Sequence, residues 1–182
     1  KKKDIDAKAE FLVIVNWPNK SSNDVDVWIT DNYKHIVSFR ARDRGLMHLD
    51  RDDLGRKNDT FMDGRGKIVQ IFENREVISI RGMAERTYTA TVHLYMVDGM
   101  DDPVTPVSVE LVKINPYKVL QTKKVILNNR GDEKHLFTFT VQDDGLVNVQ
   151  ETGKLIVNSE DVLSDIDPYY SNMSRDPYLG DE

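Results

Sequence analysis

The stretch Asn23-Asp24-Val25-Asp26-Val27-Trp28-Ile29-Thr30-Asp31 decides how this chain folds. Val25, Val27 and Ile29 alternate with Asp24, Asp26, Trp28 and Thr30. Successive side chains of a pleated strand point to opposite faces. One face is then apolar, and the other carries two carboxylates and an indole.

On its N-terminal side, Phe11-Leu12-Val13-Ile14-Val15-Asn16-Trp17 is a short apolar run rich in β-branched and aromatic residues, and it reads as a strand covered on both faces. The intervening Pro18-Asn19-Lys20-Ser21-Ser22 has loop chemistry. On the other side, Asn32-Tyr33-Lys34 turns the chain and His35–Phe39 returns as a hairpin partner. From Ala41 to Gly66 no apolar period is sustained, and a long loop of this kind is expected to be functional. Lys67–Phe72 and Glu76–Ile80 read as two short strands around Glu73-Asn74-Arg75. Thr87–Val97 and Val104–Lys113 alternate well, with Tyr88, Ala90, Val92, Leu94 and Met96 on one face of the first and Val107, Val109 and Leu111 on one face of the second. Val119–Leu127 and Lys134–Val141 flank the turn Asn128–Asp132. Leu146–Val149 reads as a last short strand, and Leu155-Ile156-Val157 as an added edge strand.

No segment has a helical period. Strands at roughly ten-residue spacing, separated by Gly, Asn, Asp and Pro, indicate an all-β antiparallel β-sandwich of about eight to ten strands, jelly-roll or immunoglobulin-like. The chain divides into a polar leader (1–9), a sandwich domain (10–149) and an extended acidic tail (150–182). The formal net charge is -6, and residues 150–182 hold eight acids against two bases, so residues 1–149 balance to zero. This balance argues against nucleic acid as a partner, because phosphate backbones require clustered Lys and Arg. With no cysteine, disulfides, thiolate-bound zinc and thiol catalysis are excluded. No apolar run approaches the roughly 18 residues of a membrane span. The start at Lys1-Lys2-Lys3, without an initiator methionine, suggests a fragment or processed product, with a membrane anchor or signal peptide expected upstream. Contact with a membrane is expected only through such an anchor.

Calcium is the one cofactor the residues suggest, although nothing in them requires it. Asp24 and Asp26 share a strand face, and Asp50, Asp52, Asp53, Asn58 and Asp59 follow in a loop able to fold over them. Calcium takes six to eight oxygen ligands, and loops supply them well. The stretch Asp50–Gly55 begins like an EF-hand loop, but Leu54 stands at the fifth position and Phe61 replaces the terminal glutamate. Against calcium, the six acids between Asp43 and Gly66 face five bases, a near-neutral balance that favours a surface ion-pair network. The metal set carried forward is Asp24, Asp26, Asp50 and Asp52.

Catalytic chemistry finds little support. His35, His48, His93 and His135 lie on different elements, and neither a His-Glu-x-x-His nor a Gly-x-Ser-x-Gly motif occurs. Carboxylate pairs for glycoside cleavage arise by chance among so many aspartates. For partner binding, Trp28 on the carboxylate face and the tail tyrosines Tyr169, Tyr170 and Tyr178 are the candidates. Trp28 and Trp17 have a second reading, as covers for the rim of a sandwich core.

The succession Asp24-Val-Asp26-Val-Trp28, the Asp-rich loop 49–55, then Gly82 and Tyr88-Thr-Ala-Thr-Val-His-Leu-Tyr95 resembles bacterial and phage β-sandwich domains of the pre-peptidase C-terminal type. Here Gly82 and Tyr88 stand further apart than in that pattern. The resemblance implies a non-catalytic role in attachment, assembly or secretion, sometimes with calcium. The expectation is a structural or interaction module of the bacterial envelope, its periplasm, or a phage virion, acting through a protein partner or as a homo-oligomer. The rivals are a small metal-assisted hydrolase built on the 48–59 loop and the exported domain of a membrane-anchored protein.

Overall fold

The computed structural model describes residues 8–53, 60–62, 68–70 and 73–158, with the backbone alone at 60–62 and 68–70. These residues form thirteen strands and no helix: β1 (Ala9–Asn16), β2 (Asp24–Asp31), β3 (Ile36–Val37), β4 (Asp43–Arg44), β5 (Met47–Arg51), β6 (Thr60–Met62), β7 (Ile68–Gln70), β8 (Arg75–Arg81), β9 (Arg86–Met96), β10 (Thr105–Lys113), β11 (Lys118–Leu127), β12 (Glu133–Val141) and β13 (Val147–Gln150). A six-stranded sheet runs β11-β10-β1-β8-β5-β4, and a five-stranded sheet runs β13-β12-β9-β2-β3. All pairings are antiparallel. The fold is the antiparallel β-sandwich that the strand spacing predicts.

The core lies between the sheets. Phe11, Val13 and Val15 of β1 project inward, as do Val107, Val109 and Leu111 of β10 and Ile78 and Ile80 of β8. From the second sheet, Val25, Val27 and Ile29 of β2 meet them, with Tyr88, Ala90, Val92 and Leu94 of β9 and Phe137 and Phe139 of β12. Tyr88 stacks on Phe139 with ring centroids 5.0 Å apart. Each aliphatic or aromatic side chain so buried stabilises the fold by about 1.5–3 kcal/mol, and this layer makes the sandwich cohere.

Three details differ from the sequence reading. The 41–66 stretch is not a bare loop, because β4 and β5 form a hairpin within it. Gly45 turns that hairpin with φ +60, a conformation glycine adopts without steric cost. Met47 and Leu49 are the two residues of β5 that enter the core, too few for a visible period. β7 pairs with β6, while β8 lies between β1 and β5. Leu155-Ile156-Val157 adds no strand; it folds back as a turn for a reason given below. Asn58, Asp59, Tyr169, Tyr170 and Tyr178 lie outside the described residues.

Candidate metal centre

β3 covers only Ile29 and Thr30 of β2. The preceding part of β2 therefore has no β3 partner beside it and reaches β8 of the other sheet. A backbone N–H there needs a partner. The N–H of Val27 donates to Oε2 of Glu76 on β8, 2.6 Å away. Glu76 occupies the inward parity of β8, the one shared by Ile78 and Ile80, so a carboxylate stands where the core pattern calls for an apolar residue.

β5 pairs with β8, and its irregular register between Leu49 and Arg51 sets the direction of the acids that follow. Asp52 is carried to Glu76. Asp26 reaches the same point from β2. One carboxylate oxygen from each of Asp26, Asp52 and Glu76 lies within 4.8 Å of the others. Two oxygens on opposite sides of a calcium ion are about 4.6–5.2 Å apart, given ligand distances of 2.3–2.6 Å. Asp26 and Glu76 are 2% and 1% exposed. Oδ2 of Asp26, Oε1 of Glu76 and Oδ1 of Asp52 are buried with no hydrogen-bond partner.

The electrostatics follow from this geometry. Burial first, then the charges of Asp24 and Asp52, push the Asp26 carboxyl well above its ordinary range, against the opposing pull of Arg40. Burial, and then the charge of Asp26, also push Glu76 well up, while the Val27 N–H holds it down. Asp52 is paired with Arg42 at 3.3 Å through its other oxygen. Buried carboxylates that repel one another are costly when ionised. A divalent cation would supply charge and ligation to such a cluster, and an all-oxygen donor set suits a hard ion.

Of the four residues in the expected metal set, Asp26 and Asp52 come together. Asp24 is buried on the same strand and acts on Asp26 through its charge. Asp50 does not join: it turns outward toward His48, 3.7 Å away. Asp53 is a backbone cap, accepting from the Arg75 N–H and from Arg51. Glu76 escaped the sequence reading, although its parity with Ile78 and Ile80 was a usable signal.

Trp28 is no exposed platform. It is 4% exposed and packs with Ile156 against Ile36, Phe39 and Val157 on the outside of the five-stranded sheet. The turn that covers it is held by Glu133. That carboxylate accepts from the backbone N–H groups of Ile156 (2.7 Å), Val157 (2.9 Å) and Asn158 (2.9 Å), from the Asn158 amide (3.0 Å) and from the Thr91 hydroxyl (2.7 Å). An apolar triplet that resembles a strand is thus fixed as a turn by a carboxylate distant in sequence.

The histidines serve separate places. His35 pairs with Asp31 at 2.8 Å, and His48 with Asp43 at 3.3 Å. His135 contacts Thr138 and the Glu151 carbonyl. His93 is held below its ordinary value, chiefly by burial.

No family model matches the chain, and no curated protein matches it. Two solved structures match it. One is a protein of unknown function, SAV2460, with a TM-score of 0.54 and 14% identity over 86% of this chain and 95% of that one. The other is SCO6318 from Streptomyces coelicolor A3(2), described as a homologue of the telluride resistance protein TerD, with a TM-score of 0.47 and 15% identity over the same shares. At such identities the likeness to SAV2460 speaks for the fold alone.

Proposed function

We propose that Asp26, Asp52 and Glu76 hold a calcium-class divalent cation between β2 and β8, and that the protein is a non-catalytic binding module stapled by that ion. The observation that carries this reading is the convergence of three carboxylates, each with a buried oxygen that receives no hydrogen bond from an N–H group or a hydroxyl of the described residues. Asp26 and Asp52 come from different sheets, and the Glu76 side chain already bridges the gap through Val27. An ion there ties β2 to the β5–β8 edge.

Enclosure favours a structural role over a catalytic one. Catalytic metal sites keep a coordination position open to substrate, whereas Asp26 and Glu76 are both buried. Two grooves among the described residues, of about 500 Å³ each, are lined by β1, β10 and β11 together with Trp17 and Pro18, and they include none of the three acids.

Thermal unfolding of protein stripped with EDTA tests the proposal. An ion that binds only the folded state raises stability by about 2.7 kcal/mol at a hundredfold excess over Kd. Calcium should raise Tm, and magnesium should do so less, because its shorter ligand distances of about 2.0–2.1 Å suit a smaller cage. The same Tm with calcium, with magnesium and with EDTA would overturn the proposal.

A further inference from the structure

Three of the four strands that end the two sheets are short: β3 and β4 have two residues each and β13 has four. β11 differs, with ten residues at the end of the six-stranded sheet. Short edges keep a sheet from pairing with other chains, and a long edge is a template for such pairing. The register of β11 shows which of its backbone groups are open. Pro106 pairs with Ile126, Ser108 with Lys124, and Glu110 with Thr122. Proline has no N–H, so Pro106 and Ile126 cannot exchange hydrogen bonds and form a non-hydrogen-bonded pair. Pair types alternate along the ladder, so Lys124 and Thr122 stand in the same position. The N–H and C=O groups of Thr122, Lys124 and Ile126 therefore point away from β10. Among the described residues no backbone hydrogen bond reaches them.

The side chains along this edge carry one sign of charge. β11 holds Lys118, Lys123 and Lys124 and no acid. On its inner side Lys123 and Gln121 reach Glu151 of the same chain, at 3.4 and 3.0 Å. On its outer side Thr122 and Lys124 are exposed, and Ile126 is 53% exposed. Among the described residues no acid forms an ion pair with Lys124. Ile126 borders the groove walled by Trp17, Pro18 and Pro106, a seat for one more apolar side chain. A second copy suits this edge poorly. Two β11 strands side by side would join their lysines with no acid between them, and facing like charges destabilise a strand pair. An acidic strand meets no such penalty.

We propose that the open edge of β11 takes an extended acidic segment of another protein as an added antiparallel strand. The backbone groups of Thr122, Lys124 and Ile126 supply the main-chain hydrogen bonds, and the side chains beside them supply the selectivity. A large apolar residue of the partner lies opposite Ile126. Its acid, two residues further on, lies opposite Lys124. Residues two apart on a strand share a face and are about 6.6 Å apart, so one partner strand meets both rows. The inference rests on the reading of the chain as a binding module and not on the cation. Calcium-dependent stability without peptide binding would remove this inference and leave the cation site standing.

Fluorescence anisotropy of the labelled peptide Ser-Ile-Thr-Glu-Thr-Thr-Ser, titrated with the full-length protein, tests the proposal. Binding should saturate. The peptide Ser-Thr-Ile-Glu-Thr-Thr-Ser has the same composition but sets its acid next to its isoleucine, where the two face opposite sides. It should bind about fivefold more weakly, having lost one cross-strand contact. Lys124→Glu should weaken the first peptide about fivefold, and lysine in place of the peptide's glutamate should restore binding. Thr122→Pro removes an N–H that only an added strand would use, at an edge position that tolerates proline. It should weaken binding at least about tenfold, while Thr122→Val, which keeps the N–H, should not. No saturable binding up to millimolar protein, equal binding of the two peptides, or full binding by folded Thr122→Pro would overturn the proposal. Dimers of the free protein that Thr122→Pro dissociates would replace the partner by a second copy and overturn it. Binding that appears only when residues 159–182 are removed would place the chain's own segment on the edge and overturn it as well.

Discussion

The Glu76 carboxylate on one sheet accepts a hydrogen bond from the Val27 N–H on the other, 2.6 Å away. A single side chain thereby closes the backbone of β2 and also brings a carboxylate oxygen within 4.8 Å of Asp26 and Asp52. The two roles are separable by substitution. Glu76→Gln keeps an acceptor for Val27 and removes the charge. Its stability in EDTA should equal or exceed that of the wild type, and its calcium response should vanish. Glu76→Ala strands the N–H and should cost about 2–3 kcal/mol. Urea unfolding with and without calcium reads both.

Asp26→Asn should give a change of opposite sign in the two conditions. In the cation-free protein the burial of Asp26 and its repulsion by Asp24 and Asp52 are relieved, so stability should rise by about 1–2 kcal/mol. With saturating calcium the variant should be less stable than the wild type, having lost a ligand. Differential scanning calorimetry in EDTA and in calcium shows whether the two curves cross.

Glu133 sets a third expectation. Its carboxylate ties Ile156, Val157 and Asn158 to the outside of the five-stranded sheet. Glu133→Ala should release the turn, expose Trp28 and cost about 3 kcal/mol, because several buried donors lose a charged acceptor together. Tryptophan emission should shift to the red in the folded protein, with Trp17 in the main core as the unaffected background. Glu133→Gln should give a smaller shift, since one oxygen remains to accept.

Much of the fold was legible because apolar residues recur with period two in β2, β9 and β10, and because β1 is an unbroken apolar run. The parts that were not legible depend on contacts distant in sequence. Two inward residues, Met47 and Leu49, are too few to announce β5. The register shift between Leu49 and Arg51 breaks the parity by which Asp50 and Asp52 might have been told apart. Leu155-Ile156-Val157 has strand composition, yet the acceptor that turns it lies on β12. Two of the three residues of the candidate site, Asp26 and Asp52, were readable. Glu76 sat between Arg75 and Val77 looking like a surface charge, and only its parity with Ile78 and Ile80 betrayed it.

Acid sensitivity should come from Asp31. Its carboxyl accepts from the Tyr33 and His35 backbone N–H groups and pairs with Arg86 at 2.7 Å. Burial alone would raise its pKa, but the hydrogen bonds from His35 and Tyr33 hold it below its ordinary value of 3.8. A lowered folded-state pKa contributes stability that is whole above the unfolded value and is lost as pH falls through the folded value. Stability should therefore decline on acidification below about pH 4. Asp31→Asn should be about 3 kcal/mol less stable at neutral pH, because it leaves Arg86 without its buried partner, and the difference should narrow in acid. Urea midpoints measured from pH 2 to pH 7 give both slopes.

The central claim is that three converging carboxylates, two of them buried, form one cation site, and isothermal titration calorimetry of metal-free protein tests it most directly. The account expects one calcium ion bound per chain by the wild type and none by Asp26→Asn at the same concentrations. Absence of binding heat in the wild type up to millimolar calcium, or unchanged binding by the variant, would contradict it.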